Sequence, residues 1–216
     1  PHPPLLHRHI TESAVQQDDS NAEAWRLLGQ SHAENDCDPQ AIICLERAVE
    51  RDPYNLPALL ALGVSYVNEL DHNKALENLQ AWVQHNPKFA GLEIVKDAYS
   101  DGSLVDEVMQ LMLKALAHSG GKDPDVLEVL GVLYNVSRDY NNAVKTFKDA
   151  LSNRPDDYGL WNKVGATLAN SARSEEAMPA YHRALKLRPK YARGYLNLGI
   201  CHANLNNYSE AARHYL

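Results

Sequence analysis

Leu160–Ala177 reads LWNKVGATLANSARSEEA, and Gly194–Ala211 reads GYLNLGICHANLNNYSEA. Offset by 34 residues, Gly165 falls on Gly199, Asn170 on Asn204 and Ala177 on Ala211. Self-similarity at a fixed period marks a repeat architecture. The same register extends leftward. Trp25, Leu28, Gly29, His32, Ala41, Leu45, Ala48 and Pro53 occupy its key positions from Ala22 onward. Leu59, Leu62, Gly63, Tyr66, Ala75, Leu79, Trp82 and Pro87 follow. A third copy from Pro124 has Leu127, Leu130, Gly131, Tyr134, Ala143, Phe147, Ala150 and Pro155. The copy from Tyr158 adds Trp161, Tyr181, Ala184 and Pro189, and the last, from Ala192, stops within its second half.

Each recurring residue has a physical reason. Gly lets a neighbouring helix approach, a small Ala suits a helix crossing, and Pro cannot continue a helix, so it marks the turn into the next copy. Apolar residues recur between these marks at helical spacing, so each copy reads as two antiparallel helices. DPQAI at Asp38–Ile42 reads as a helix start, with Asp38 as the cap and Pro39 in the first turn. The pattern resembles the tetratricopeptide repeat. The expected fold is an all-α superhelix of antiparallel helix pairs with a period of 34 and one irregular segment.

That segment is 90–123, which has turn-rich SDGS and HSGGKDP and no Gly signature. Only Leu104–Leu116 reads as helical, with Val105, Val108, Met109, Met112, Leu113 and Leu116 on an apolar side. It is expected to be a distorted repeat or a hinge between two repeats (22–89) and three later ones (124–216, the last truncated). Residues 11–21 read as the remnant of a preceding repeat, and 1–10 as a tag-like or disordered tail. Internal repeats bury both faces, so native sequence is expected on both sides.

Composition narrows the function classes. The net charge of -7 argues against a general nucleic-acid binder. No apolar run approaches the roughly 20 residues that span a bilayer, and no signal-peptide pattern opens the chain. Cys37, Cys44 and Cys201 are scattered, without CxxC spacing, which reads as a reduced intracellular protein with no metal site. No HExxH, phosphate loop or nucleophile–base pair is present, so no catalytic residue and no cofactor is expected.

The first helix of each pair carries the polar signal. Asn162, Ala166 and Asn170 share one helical side, with Lys163 beside it; Arg193, Asn197, Cys201 and Asn204 do so in the next copy. Val64, Asn68 and Glu69 hold the matching register earlier, and Asn135 lies one position before it in its own copy. An amide both donates and accepts, which suits an extended peptide. Lys163 and Arg193 suit a terminal carboxylate, and Val64, Val67 and Ala166 suit a small apolar pocket. The set reads as a clamp for a free C-terminus. The plain alternative stands beside it: an Asn late in a helix also marks the helix end, and Lys163 also reads as a solvated charge. Trp25, Trp82 and Trp161 sit at packing positions.

GVSYVNE (Gly63–Glu69), LGVLYNVSRDYNNAV (Leu130–Val144), DYGLWNKVGATLANSARSEEA (Asp157–Ala177), YLNLGI (Tyr195–Ile200) and AVQQDDSNAEAWRLLGQSHAEND (Ala14–Asp36) resemble the repeat domain of the peroxisomal import receptors that bind C-terminal Ser-Lys-Leu signals. The resemblance implies a cytosolic receptor that binds matrix enzymes by their C-terminal tripeptide and cycles to the peroxisomal membrane. It implies peptide-binding roles for Asn68, Asn162, Asn170, Asn197 and Asn204, and carboxylate-side roles for Lys163 and Arg193. Val64 and Ala166 match pocket-lining positions, and Glu69 matches an acidic residue facing the signal's basic side chain. Val67 stands where the family suggests Thr, and Cys201 where it suggests a small hydroxyl residue. Docking proteins at the membrane would be met through regions outside this chain. A chaperone-tail clamp, which prefers acidic tails ending in Glu-Glu-Val-Asp, is the alternative; Glu69 argues against it. A repeat arm of a sugar transferase is a further one, and would need a catalytic domain elsewhere.

Overall fold

The computed structural model describes residues 13–92 and 103–215. The readings for the 1–10 tail, for Thr11 and for most of SDGS lie outside the described residues. The first helices of the pairs are α1 (Ala22–Glu34), α3 (Leu56–Asn68), α6 (Pro124–Val136), α8 (Tyr158–Asn170) and α10 (Ala192–Asn204). The second helices are α2 (Asp38–Arg51), α4 (His72–Gln84), α7 (Tyr140–Asn153), α9 (Ser174–Leu187) and α11 (Tyr208–Tyr215). Between α4 and α6 lies α5 (Leu104–His118), and a single 3₁₀ turn covers Pro87–Phe89. No strand occurs among the described residues.

The chain divides into two compact units, Pro1–Ala115 and Leu116–Leu216, with the boundary inside α5. In unit 1, α1 packs on α2, α2 on α3 and α3 on α4. In unit 2, each helix from α6 to α10 packs on its successor.

The repeated small residues carry this packing. Ala41, Ala75, Ala143 and Ala177 are fully buried where the paired helices meet. A Cβ placed on Gly29, Gly63, Gly131 or Gly165 would lie 2.6, 2.8, 2.4 and 2.6 Å from the side chains of Leu45, Leu79, Phe147 and Tyr181. Each glycine is therefore the socket for one large residue of the second helix. Burying such a residue contributes about 1.5–3 kcal/mol. Tyr181 is almost wholly buried, and loss of solvent around it pushes its hydroxyl pKa up.

Helix ends also follow a repeated plan. Asn21, Asn55, Asp71, Asp123, Asp139 and Asp157 cap their helices by accepting backbone N–H groups. Asp38 does not: Cys37 precedes the helix, no side chain caps it, and Asp38 is its first residue, buried at 5% exposure. The turn inside each pair holds one residue in the left-handed region: Asp36, Leu70, Arg138, Ala172 and Asn206, with φ of 60–62°. There the backbone folds back, as when Arg173 N–H donates to the Leu168 carbonyl at 2.9 Å. Trp161 Nε1 donates to the Pro155 carbonyl at 2.9 Å, tying a first helix to the preceding turn. Trp25 does the same to Asp19, and Trp82 is buried, so all three indoles have packing roles.

The irregular segment differs in detail from its expected face. Val108, Leu111, Met112 and Ala115 are the buried residues of α5, whereas Leu113 is exposed. The buried stripe therefore runs one position away from Leu113, at spacings of three and four.

Candidate functional site

The sequence-singled residues fall in both units, and each unit is described by itself. In unit 1, Asn68 is the last residue of α3 and Glu69 follows it as the cap; both are exposed. Val64 and Val67 are half-buried, and Val67 packs against the core formed by Ala41, Leu45, Leu62 and Tyr66. Asn68 Nδ2 lies 3.2 Å from each carboxylate oxygen of Asp38. The residue read as a cap thus sits beneath the amide. Nearby, Tyr66 donates its hydroxyl to Glu46, and burial together with that bond pushes the phenol pKa up.

In unit 2, the corresponding amides also bridge repeats. Asn204, the last residue of α10, lies with Nδ2 3.4 Å from Ser174 Oγ at the start of α9. Asn197 donates to Asn162 Oδ1 at 3.1 Å, linking α10 to α8. Asn162 is buried at 6% exposure, while Asn170 and Asn204 are exposed; Ala166, Asn197 and Arg193 are half-buried. The side shared by Asn162, Ala166 and Asn170 therefore runs from interior to surface along α8.

Lys163 is not a simple solvated charge. Its Nζ lies 3.1 Å from Glu128 Oε1, and Arg154 reaches Glu128 Oε2 at 2.8 Å. Arg154 also donates to the Pro124 carbonyl at 2.9 Å. The Glu128 side chain is only 11% exposed, against 23% for Lys163. Burial opposes its ionisation, but the two cations outweigh burial and hold its carboxyl below the ordinary value of 4.5.

Two spacings organise these contacts. Lys163 to Glu128 and Asn197 to Asn162 both span 35 residues, joining the sixth position of one first helix to the fifth of the one before. Asn68 to Asp38 and Asn204 to Ser174 both span 30 residues, joining the end of a first helix to the start of the preceding second helix. Sequence reasoning missed Glu128, Asp38 and Ser174 as partners. The signal was available: each stands at the offset that another copy of the repeat uses for the same bond.

Cys201, grouped by sequence with the surface amides, is fully buried. Its register mates Ser65, Leu133 and Thr167 are at most 1% exposed and Ser31 is half-buried, so in the later copies this position belongs to the interior. Burial pushes the Cys201 thiol pKa up, partly offset by a hydrogen bond with Ser174. Cys201 thus stands behind Asn204 rather than beside it. No group of three or more His, Cys, Asp or Glu able to hold a metal ion occurs among the described residues.

Antiparallel helix pairs, glycine sockets and inter-repeat amides define a tetratricopeptide-repeat fold, and residues 165–216 match the family model described as Tetratricopeptide repeat. The relatives narrow this further. The chain is 39% identical to the Peroxisomal targeting signal receptor of Eremothecium gossypii over 95% of this chain and 36% of that protein. It is 44% identical to the PEX5-related protein of Mus musculus over 76% of this chain and 31% of that protein. It is also 44% identical to the Peroxisomal targeting signal 1 receptor of Dictyostelium discoideum over 79% of this chain and 28% of that protein. The chain is similar to these receptors over most of its own length and spans about a third of theirs.

Proposed function

We propose that this chain is the cargo-binding domain of a peroxisomal import receptor, and that it binds the C-terminal Ser-Lys-Leu-type tripeptide of matrix proteins. The function is binding, not catalysis. The observation that carries the reading is the set of amides and cations on neighbouring first helices of unit 2, in a chain whose relatives are named for a peroxisomal targeting signal.

Asn162, Asn170, Asn197 and Asn204 hydrogen-bond the extended backbone of the signal. Lys163 and Arg193 attract its terminal carboxylate; Lys163 already faces a carboxylate, that of Glu128, so its ammonium is held at a defined point. Ala166 lines the apolar contact for the last side chain, and Cys201 shapes that wall from within. The set on unit 1, Val64, Val67, Asn68 and Glu69, contacts peptide in its own right, with Glu69 attracting the signal's basic side chain. In the cell the receptor would take up cargo in the cytosol and cycle to the peroxisomal membrane, meeting docking proteins through parts outside this chain.

A competition titration by fluorescence polarisation tests the reading. A labelled peptide ending in Ser-Lys-Leu is expected to be displaced by its unlabelled form and not by a peptide ending in Glu-Glu-Val-Asp. Preferential displacement by the acidic tail would instead assign a chaperone-tail clamp.

A further inference from the structure

The polarity of an Asn amide is set by its partners, because oxygen accepts and nitrogen donates. Asp38 is buried, and a carboxylate only accepts. Asn68 must therefore turn its NH2 toward Asp38, as the paired 3.2 Å contacts have it. Its Oδ1 is then turned the other way, on an exposed residue at a helix end. We propose that Asp38 is a positioning residue: it fixes Asn68 as an acceptor, so that unit 1 receives a backbone N–H of the bound peptide rather than a carbonyl.

The same device recurs in unit 2. Ser174 is buried at 5% exposure at the start of the preceding second helix. Its hydroxyl oxygen accepts from Asn204 Nδ2 at 3.4 Å. Asn197 likewise spends its NH2 on Asn162 Oδ1. Three amides, Asn68 and Asn204 at the surface and Asn197 half-buried, thus give their donors to the protein, and each partner lies in the preceding repeat. Asn170 has no such tie: its counterpart at the 30-residue offset is Tyr140, and no hydrogen bond joins the two. Each unit by itself thus offers amide carbonyls suited to N–H groups of a peptide. The inference rests on the peptide-binding reading above and adds its direction.

Two measurements on the whole chain test it. The first needs no ligand: side-chain NH2 resonances of Asn68 are expected to exchange with solvent about tenfold more slowly than those of Asn170, and at the rate of Asn170 in Asp38→Ala, which removes the acceptor. Equal rates in the wild type would overturn the proposal. The second is a cycle read by peptide binding. Asp38→Ala is expected to weaken a Ser-Lys-Leu peptide roughly three- to tenfold, the size of one ordinary hydrogen bond, and to cause no further loss in Asn68→Ala. A loss that persists in Asn68→Ala means that Asp38 acts through the fold and overturns the inference alone. A wild type that binds no such peptide overturns the reading on which it rests, while the exchange rates still decide the amide's direction.

Discussion

At the fifth and sixth positions of α3, in unit 1, stand Leu60 and Ala61; at the same positions of α6, α8 and α10, in unit 2, the polar ladder is built from Glu128, Asn162, Lys163 and Asn197. Yet the glycine and alanine positions are the same in both units, and so are their contacts. Gly63 meets Leu79 as Gly165 meets Tyr181, and Ala75 is as buried as Ala177. The fold is written in one set of repeat positions and the surface chemistry in another, so one can vary while the other stays fixed. Unit 2 carries the two cations and most of the singled-out amides; unit 1 offers one tethered amide beside half-buried valines and the exposed Glu69.

Substitutions at the fold positions should erase the difference between the units. Gly131→Val drives new atoms into the Phe147 ring, whose nearest atom is 2.4 Å from even a Cβ. It is expected to cost about 3 kcal/mol in chemical denaturation, and Gly63→Val a similar amount. A glycine position that tolerated Val in one unit alone would break the common packing rule.

Substitutions at the site positions should sharpen the difference. Asn170→Ala is expected to weaken peptide binding by about 1–2 kcal/mol with unchanged melting temperature, since its side chain is exposed and lies outside the inter-repeat bonds. The paired change Asn162→Leu with Asn197→Ala places the residues of unit 1 at these positions of unit 2. Removing both partners of one hydrogen bond is close to neutral for stability, so binding should fall while stability stays within about 0.5 kcal/mol.

Acid should act selectively through Glu128. Its carboxyl pKa is lower in the folded chain than the ordinary 4.5, so its contribution is complete above that value and is lost as pH falls through the lower folded value. Denaturation midpoints followed from pH 6 downward should therefore fall less steeply in Glu128→Gln. The smallest effect expected is a gain. Ala172 holds φ of 60°, where Cβ is strained, and Ala172→Gly should stabilise the chain by about 0.5–1 kcal/mol.

Much of this was legible because repetition averages out accidents. Gly and Ala recur in every copy, so their role could be read without coordinates. The left-handed residue of each turn was not, because Leu70, Arg138 and Ala172 have no common side chain; what repeats there is backbone hydrogen bonding. Asp38 was misread because Asp before Pro is a common helix start, whereas here the acid is drawn inside by Asn68 from the next repeat. The burial of Cys201 was not legible, because the Ser65 and Thr167 at its register are polar residues that the structure nonetheless buries. Glu128 escaped notice because its partners lie 26 and 35 residues away, beyond any local pattern.

The central claim is that Lys163 and Arg193 recognise a free carboxylate at the end of another chain. The most direct measurement is a titration with two peptides ending in Ser-Lys-Leu, one a free acid and one a C-terminal amide. Losing a charged hydrogen bond corresponds to about 1.5–3 kcal/mol, so the amide is expected to bind at least roughly tenfold more weakly. Equal affinity for the two peptides would contradict it.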